Sequence, residues 1–426
     1  MPYRFFLTAP WFSVAAGMLL ALGGESVLAT RWSSQTLGLT HLLTAGFMLQ
    51  AMCGALFQFV PVAAGGNVRH PRLLAGIVHP MILVGAGLLV AGFLAGNGRM
   101  LLAALGPLAL GTVLFVVAIG HALWTAPLGS QVLGALRFAV FGLLATIAIG
   151  AFMAWTLGRG ETAALLELTT AHATWGLGAW ALALLCGVSL YVVPMFQLTP
   201  TYPATFARAT PVALFLFSSL STIGVVFAGG VWQNLATLGT FAAGAAYATI
   251  TIRLQTRRRR KVTDPTFWFF RVATMSALAA AALVLAAQFL PMLKHDARYA
   301  LTLGILTIGG GFVSAINGML YKIMPFINWL HLQRLAGIAA MPPNMREMLS
   351  ENAMRGQMRL HFIALGGVLA AVWAPILARP AGLLWAASAA WLGANLIHAV
   401  KRYVYFRDRI RADAACHGPE SASHAP

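Results

Sequence analysis

Histidine, with 11 copies, outnumbers the three cysteines and the ten carboxylates of this chain. His41 and His172 occupy similar places, since they precede two glycines of a repeated pattern, Gly54 and Gly187, by 13 and 15 residues. Two imidazoles that face each other from neighbouring helices suit a low-spin haem iron or copper. We therefore predict a ligand pair at His41 and His172; the alternative is that both histidines cap helix ends or bond carbonyl groups.

A haem at this pair would need a flat wall and hydrogen-bond partners for the ligands. Gly309, Gly310 and Gly311 follow one another at a comparable depth of a later helix, so we predict that their backbone forms one wall of the pocket. A ligand imidazole usually donates its second N–H to an oxygen. The candidate partners for these N–H groups are Thr40, Thr44, Glu167, Thr169 and Thr170.

A second layer of histidines is expected nearer the opposite membrane surface, at His79, His121, His361 and His398. A metal site formed by His79, His121 and His398 is one interpretation. The other, which we favour, is that these residues are structural, because His79 stands beside Pro80 at a helix start and the others face the interface.

The composition indicates a membrane protein. Hydrophobic residues make up 59% of the chain and charged residues 9%, whereas about a quarter of the residues in soluble domains are charged. Apolar runs of about 20 residues, long enough to cross a bilayer, follow one another from residue 10 to residue 404. We predict an all-α polytopic protein with about 12 transmembrane helices, the eleventh over 360–378.

The net charge of +18 is explained by topology. With a cytoplasmic N-terminus, 22 of the 28 Lys and Arg residues fall in inner loops, as the positive-inside rule requires. We therefore expect both termini in the cytoplasm, a bacterial inner-membrane location and the lipid bilayer as the partner of the basic loops. No nucleic-acid partner is expected, since no basic patch with interleaved aromatic residues lies on a soluble face.

A short pattern divides the chain into three parts. It reads GALFQFVPV from Gly54, GVSLYVVPM from Gly187 and GMLYKIMPF from Gly318, at spacings of 133 and 131 residues. Such regular spacing indicates repeats, so we predict one transmembrane domain, 1–411, made of three pseudo-threefold four-helix units at about 1–130, 131–262 and 263–411. Residues 412–426 are expected to be a disordered tail.

The pattern also predicts contacts at the inner ends of helices two, six and ten. Its prolines should end or kink each helix there, and the fourth residue after each glycine is polar: Gln58, Tyr191 and Lys322. We expect these three side chains to approach one another, either as an interfacial polar ring or as a proton or ion entrance. The long segment 326–359 should lie on the membrane surface as two short helices, or dock a partner.

Twelve helices in three units, with histidines early in helices two and six, resemble subunit I of the haem-copper oxidases and nitric oxide reductases. They are also similar to the NnrS-type membrane proteins, which are associated with haem, copper and nitrosative stress. The stretches HLLTAGFMLQAMCGALFQFVPV and INGMLYKIMPFINWLHL carry the residue-level likeness. The resemblance implies that His41 is a ligand of low-spin haem b and that His172 lies on a helix that carries a copper ligand.

The sequence departs from that family where oxygen is reduced. Helix seven has no histidine pair and helix ten has no His-x-His, so a complete terminal oxidase is excluded. The resemblance implies a haem- or copper-binding protein in electron transfer, nitric oxide handling or cofactor delivery, with respiratory or denitrification components as partners. The alternatives are a secondary transporter or permease, and a cofactor-free assembly factor of a respiratory complex.

Overall fold

The computed structural model describes residues 2–127, 129–161, 165–227, 229–259, 262–336 and 343–416, and within these ranges the chain is helical with no strand. Twelve long helices account for most of the described chain. Their bounds are α1 Tyr3–Gly23, α2 Ser34–Ala64, α3 Pro71–Ala95, α4 Gly98–Trp124, α5 Gln131–Gly158, α6 Glu167–Gln197, α7 Ala204–Val226, α8 Gly230–Thr256, α9 Pro265–Phe289, α10 Ala297–Ala336, α11 Glu351–Ala371 and α12 Ala378–Cys416.

Eleven helices in the described ranges are long and apolar enough to cross a membrane, and α11 is the long helix outside that set. The chain is therefore an all-α polytopic membrane protein. Helix α11 nevertheless runs along the bundle from end to end. In its second turn, Arg355 Nη2 donates to the carbonyl of Thr263, just before α9. Beyond its last turn, the ring of Trp373 lies 5.1 Å from the guanidinium of Arg298 in the first turn of α10.

The start of α1 and the later part of α12 lie at the same end of the bundle. The rings of Tyr3 in α1 and Tyr403 in α12 lie 6.3 Å apart. The Tyr3 hydroxyl also donates to Asn328 Oδ1 of α10 at 2.7 Å. We term this the lower end and the opposite one the upper end, so α2, α6 and α10 start at the upper end.

A π-helical stretch interrupts each of α2, α6 and α10. The three stretches are Leu42–Met48, Thr174–Leu182 and Ile305–Val313. Each lies between the upper end of its helix and the glycine that begins the repeated pattern in that helix. We term Gly54, Gly187 and Gly318 the motif glycines. Because π-helical turns are rare and are frequent at functional sites, their recurrence at one depth indicates a region of special geometry in the upper half.

The three motif glycines make one kind of contact. A Cβ atom on Gly54 would lie 2.7 Å from Phe5 Cβ of α1, one on Gly187 2.8 Å from Ala135 Cβ of α5, and one on Gly318 2.8 Å from Phe269 Cβ of α9. The glycines therefore allow α2, α6 and α10 to approach the helix that precedes each of them by one crossing. These close contacts are with those helices, rather than among the three glycine-bearing helices.

The prolines of the pattern have different effects at the lower end. Pro61 lies in a short π stretch that ends α2, and Pro194 stands close to the last residue of α6, whereas α10 continues past Pro325 to Ala336. At about 1.5 Å per residue, a helix of 40 residues is about 60 Å long, twice the thickness of a bilayer core. The expected surface segment after residue 326 therefore begins as an extension of α10.

The lower part of α10 packs against the extended end of α12. This cluster consists of Leu332, Ala336, Met348, Phe406 and Ile410. The predicted tail, 412–426, overlaps the last residues of α12, which ends at Cys416. The rest of that tail and residues 337–342 of the long inner segment lie outside the described residues.

Candidate functional site

His41 and His172 lie beside the π stretches of their helices. The start of α2 is fixed by Ser33, whose Oγ accepts from the backbone N–H of Thr36 at 3.1 Å, as an N-cap residue does. Its first regular segment ends at His41, directly before the π stretch. His172 stands two residues before the π stretch of α6. Both imidazoles are thus placed where the helical register changes.

The structure brings these two imidazole rings together. Their centroids are 6.5 Å apart and their planes differ by 21°. Two metal–nitrogen bonds of about 2.0 Å would place the facing nitrogens about 4 Å apart, which near-parallel imidazoles reach at a centroid separation of about 6 Å. The observed centroid separation is close to this value. Because imidazole lone pairs lie in the ring plane, the pair binds an ion when the nitrogen edges of the rings, and not their faces, are turned toward each other.

The hydrogen bonds of the pair leave nitrogen lone pairs available. His41 Nδ1 lies 2.8 Å from the carbonyl oxygen of Leu37; since a carbonyl only accepts, Nδ1 carries the hydrogen and Nε2 is free to bind a metal. His172 Nδ1 is buried and has no hydrogen-bond partner among the described residues. A buried nitrogen without a partner is costly in a bilayer interior, so this atom is a place where a ligand would be stabilised.

The walls of the pair come from α3 and α5. The ring of Phe93 lies 5.0 Å from the His41 ring, at a tilt of 31°. On the other side, a Cβ atom added to Gly150 would come within 2.7 Å of His172 Cε1. Gly150 therefore provides the space in which the His172 ring sits. The pair lies where the first and second predicted units meet.

Two of the three glycines that were predicted to form a wall of the pocket contact other helices of the bundle. The nearest atoms to a Cβ on Gly309 belong to Trp385 and Leu365, and those nearest to one on Gly310 belong to Ser276 and Leu365. Gly311 has only the carbonyl of Leu306, in its own helix, within 4 Å. Gly309 and Gly310 thus serve the packing of α10 against α9, α11 and α12.

The residues predicted as hydrogen-bond partners of the two histidines make other hydrogen bonds, most of them within their own helices. Thr44 donates to the carbonyl of Thr40 at 2.8 Å, and Thr169 donates to that of Leu165 at 2.7 Å. The carbonyl of Thr170 accepts from Thr174, and that of Glu167 accepts from Gln233. The backbone oxygen of Leu37, which the sequence did not suggest, takes the place of these side chains at His41.

The lower-half histidines are separated. His79 is buried in α3, where Nε2 lies 3.0 Å from Thr8 Oγ1 and its ring lies 5.1 Å from that of Phe5. His121 in α4 and His398 in α12 are exposed. Within the described part of the chain, no three His, Cys, Asp or Glu residues form a group that could hold a metal ion. The structure therefore does not bring His79, His121 and His398 together in such a group within the described residues.

His361 is buried and is surrounded by a hydrogen-bonding side chain and aromatic rings. It is 2% exposed, and its Nε2 lies 2.9 Å from Ser314 Oγ. Its ring lies 5.5 Å from that of Phe269 and 5.4 Å from that of Trp385. The contact with Phe269 in α9 parallels the contact of His79 with Phe5 in α1. The sequence placed His361 in the lower layer but indicated no role for it, since its partners lie on other helices.

A chain of hydrogen-bonded polar side chains joins α10, α11 and α12 near His361. Asn395 Nδ2 donates to Tyr321 Oη at 2.9 Å, and Tyr321 Oη donates to Gln357 Oε1 at 3.0 Å. Gln357 Nε2 in turn donates to Ser388 Oγ at 3.1 Å. The sequence did not predict this network, because single amide and hydroxyl residues on four different turns show no local pattern.

The expected triad of Gln58, Tyr191 and Lys322 is replaced by other contacts. Lys322 Nζ lies 2.6 Å from Asp264 Oδ2, at the N-terminus of α9. Tyr191 packs against Phe59, with ring centroids 5.9 Å apart. Burial raises the pKa of Asp264, but the charge of Lys322 and the hydrogen bonds from Lys322, Thr266 and the Phe267 N–H outweigh it and hold this pKa below its usual value.

Comparison with known proteins adds no support for the resemblance to subunit I of the haem-copper oxidases. No family model matches the chain, and no curated protein matches it. What the geometry provides is a helical membrane protein in which two imidazoles from α2 and α6 stand 6.5 Å apart.

Proposed function

We propose that this chain is a bacterial inner-membrane protein that binds one transition-metal ion between His41 and His172. The observation that carries the proposal is the pairing of their rings at 6.5 Å and 21°. Imidazole suits copper, iron and zinc. The donor set has two nitrogens and neither a thiolate nor a carboxylate, which leaves further coordination positions open.

Copper fits this environment better than a haem. A haem iron would need room for a macrocycle between the rings, whereas Phe93 covers His41 and the closest contacts of Gly309 and Gly310 are packing side chains. A single ion needs only the space between two nitrogens. Copper is therefore our first choice and haem b the second.

The activity we propose is the transfer of copper, or of an electron through it, at the outer side of the inner membrane. A site with two protein ligands holds an ion less firmly than a closed four-ligand site, which suits delivery of a cofactor to a respiratory or denitrification component. When bound, the metal would supply a redox couple or an exchangeable ion. The contributions of the chain are the orientation of His41 by Leu37 and the space for His172 at Gly150.

The topology that we propose has twelve crossings, in three related units of four, with both termini in the cytoplasm. Three observations support it: the end-to-end course of α11, the contact between Tyr3 and Tyr403, and the threefold recurrence of a π stretch and a glycine contact. The positive-inside rule makes the lower end cytoplasmic. His41 and His172 then lie toward the periplasmic side.

A metal analysis of the purified protein, together with its reduced-minus-oxidised spectrum, tests the proposal. We expect one copper per chain after copper loading. In a His41→Asn, His172→Asn double variant the copper content per chain should fall to near zero. A matched control is His121→Asn and His398→Asn, which removes two exposed histidines. A haem b spectrum that depends on His41 and His172 would select the second cofactor. A chain free of metal and haem after loading would overturn the proposal.

A further inference from the structure

A small cavity lies among α1, α10, α11 and α12, remote in sequence from the His41 and His172 pair, and Val313 at the end of the α10 π stretch is part of its lining. Its polar lining comes from Ser13 of α1, Asn317 of α10, His361 of α11, and Trp385 and Ser388 of α12. The cavity offers about 10 Å³ to the centre of a water molecule, and a volume of that order holds one water. The hydrogen-bonding needs of its lining decide what occupies it.

Two acceptors on the lining are incompletely satisfied. Asn317 is 3% exposed, and its Oδ1 has no hydrogen-bond partner. The Ser314 hydroxyl donates to the carbonyl of Gly309 at 3.2 Å, so the hydrogen of the Ser314–His361 contact belongs to His361 Nε2 and Nδ1 carries a lone pair. That lone pair meets only Asn317 Nδ2, at 3.5 Å, a distance at the limit for a hydrogen bond.

Two donors on the same lining also lack an acceptor. Trp385 Nε1 donates to Ser13 Oγ at 3.0 Å, and Gln357 Nε2 donates to Ser388 Oγ at 3.1 Å. Each serine oxygen is thus used as an acceptor, and among the described residues neither serine hydroxyl donates to a protein atom. Both hydroxyl hydrogens are available to a guest in the cavity.

We propose that this cavity is a binding site for one water molecule, which donates to Asn317 Oδ1 and His361 Nδ1 and accepts from the hydroxyls of Ser13 and Ser388. Water has two donors and two acceptors, so one molecule completes all four groups. It links the first helix of the chain to the last three and holds His361 as the Nε2–H tautomer. A dry cavity would leave four unmet polar groups inside the bilayer.

Solid-state NMR of the full-length protein in lipid bilayers, with 15N-labelled histidine, tests this site. The His361 signals are identified by their loss in His361→Asn. We expect the Nδ1 resonance of an unprotonated nitrogen that receives magnetisation from water, and an Nε2–H that persists. Asn317→Leu, which fills the cavity with an apolar side chain, should abolish the transfer to Nδ1. Ser189→Ala is the control, since Ser189 bonds Tyr247 elsewhere and should leave it unchanged.

Ser388→Ala provides a milder change should Asn317→Leu fail to fold. It removes one of the four hydrogen bonds of the water, so the transfer to Nδ1 should weaken. Absence of water transfer to Nδ1 in the wild type would overturn the proposal, as would transfer that is unchanged in the foldable variants of this cavity.

Discussion

The imidazole rings of His41 and His172 stand 6.5 Å apart, with their planes 21° from parallel, although they belong to different predicted units of the chain. Each ring is placed at the edge of a π stretch, and each is supported by a different neighbour, Leu37 for His41 and Gly150 for His172. This relationship makes the pair sensitive to changes at residues that would not touch the metal.

Gly150 is the first such residue. A methyl group there would meet His172 Cε1 at 2.7 Å, so Gly150→Ala should displace the ring and lower copper affinity by at least about tenfold, the lower range for residues that support metal ligands. The measurement is a copper titration against a competing chelator. Gly134→Ala in the same helix has open space around its Cβ position and should bind copper as the wild type does. Equal affinities for both variants would contradict the assigned role of Gly150.

The sequence predicted that His41 and His172 lie close together, and their rings do. It did not predict which residues surround them. Equivalent places of His41 and His172 in two repeats predicted their proximity, because related helices carry related residues to one depth. The three consecutive glycines predicted a wall in α10, but glycine also serves helix packing, and Trp385 and Ser276 use that space. Which of these two uses applies depends on helices far away in sequence.

The motif glycines should be sensitive to size. Gly54 lies 2.7 Å, at its Cβ position, from Phe5 Cβ, and inserting atoms into a tight helix contact costs about 1–3 kcal/mol. We therefore expect Gly54→Val to lower the thermal midpoint of the detergent-solubilised protein. Gly87→Val in α3 is the control, because nothing lies within 4 Å of that Cβ position. It measures the effect of placing valine in a helix without a steric clash. The prediction is refuted by equal midpoints for the two variants.

The Lys322–Asp264 ion pair predicts a pH-dependent stability. The pKa of Asp264 lies below its usual value, so its stabilising contribution is present at neutral pH and is lost as the pH falls through that pKa, below about 4. Lys322→Met should lower stability by about 1–3 kcal/mol at neutral pH, and the difference from wild type should shrink only well below about pH 4, where Asp264 becomes protonated in the folded protein. Thermal midpoints at both pH values measure this.

The double variant Lys322→Met, Asp264→Asn is the matched control for that prediction. It removes both charges, so its midpoint should depend less on pH than that of the wild type. A Lys322→Met deficit of the same size at both pH values would show that the lysine acts through packing rather than through its charge.

The Tyr321 hydroxyl should contribute to stability through the lower-half network. Tyr321→Phe leaves Gln357 Oε1 without its donor and leaves Asn395 Nδ2 with the carbonyl of Ala353, at 3.4 Å, as its acceptor. An unsatisfied buried group costs about 1–3 kcal/mol. Tyr191→Phe removes a hydroxyl from a tyrosine that is 39% exposed and should be nearly neutral. Thermal unfolding of both variants in one detergent distinguishes them; a smaller loss for Tyr321→Phe than for Tyr191→Phe would be inconsistent with this network.

The lower-half histidines show why local sequence patterns do not predict side-chain contacts. The sequence placed His79, His121 and His398 at one depth, but depth does not determine which way a helix turns its side chains. His121 and His398 are exposed, and His79 is held by Thr8. His361 and Asn317 meet because α10 and α11 pack against each other, and no single segment of the sequence encodes that packing.

The most direct test of the histidine pair is X-ray absorption spectroscopy of the copper-loaded protein in detergent. We predict two imidazole ligands per copper in the wild type, one in His41→Asn and none in the His41→Asn, His172→Asn double variant. A copper spectrum without imidazole scattering, or one that is unchanged in the double variant, would contradict the site.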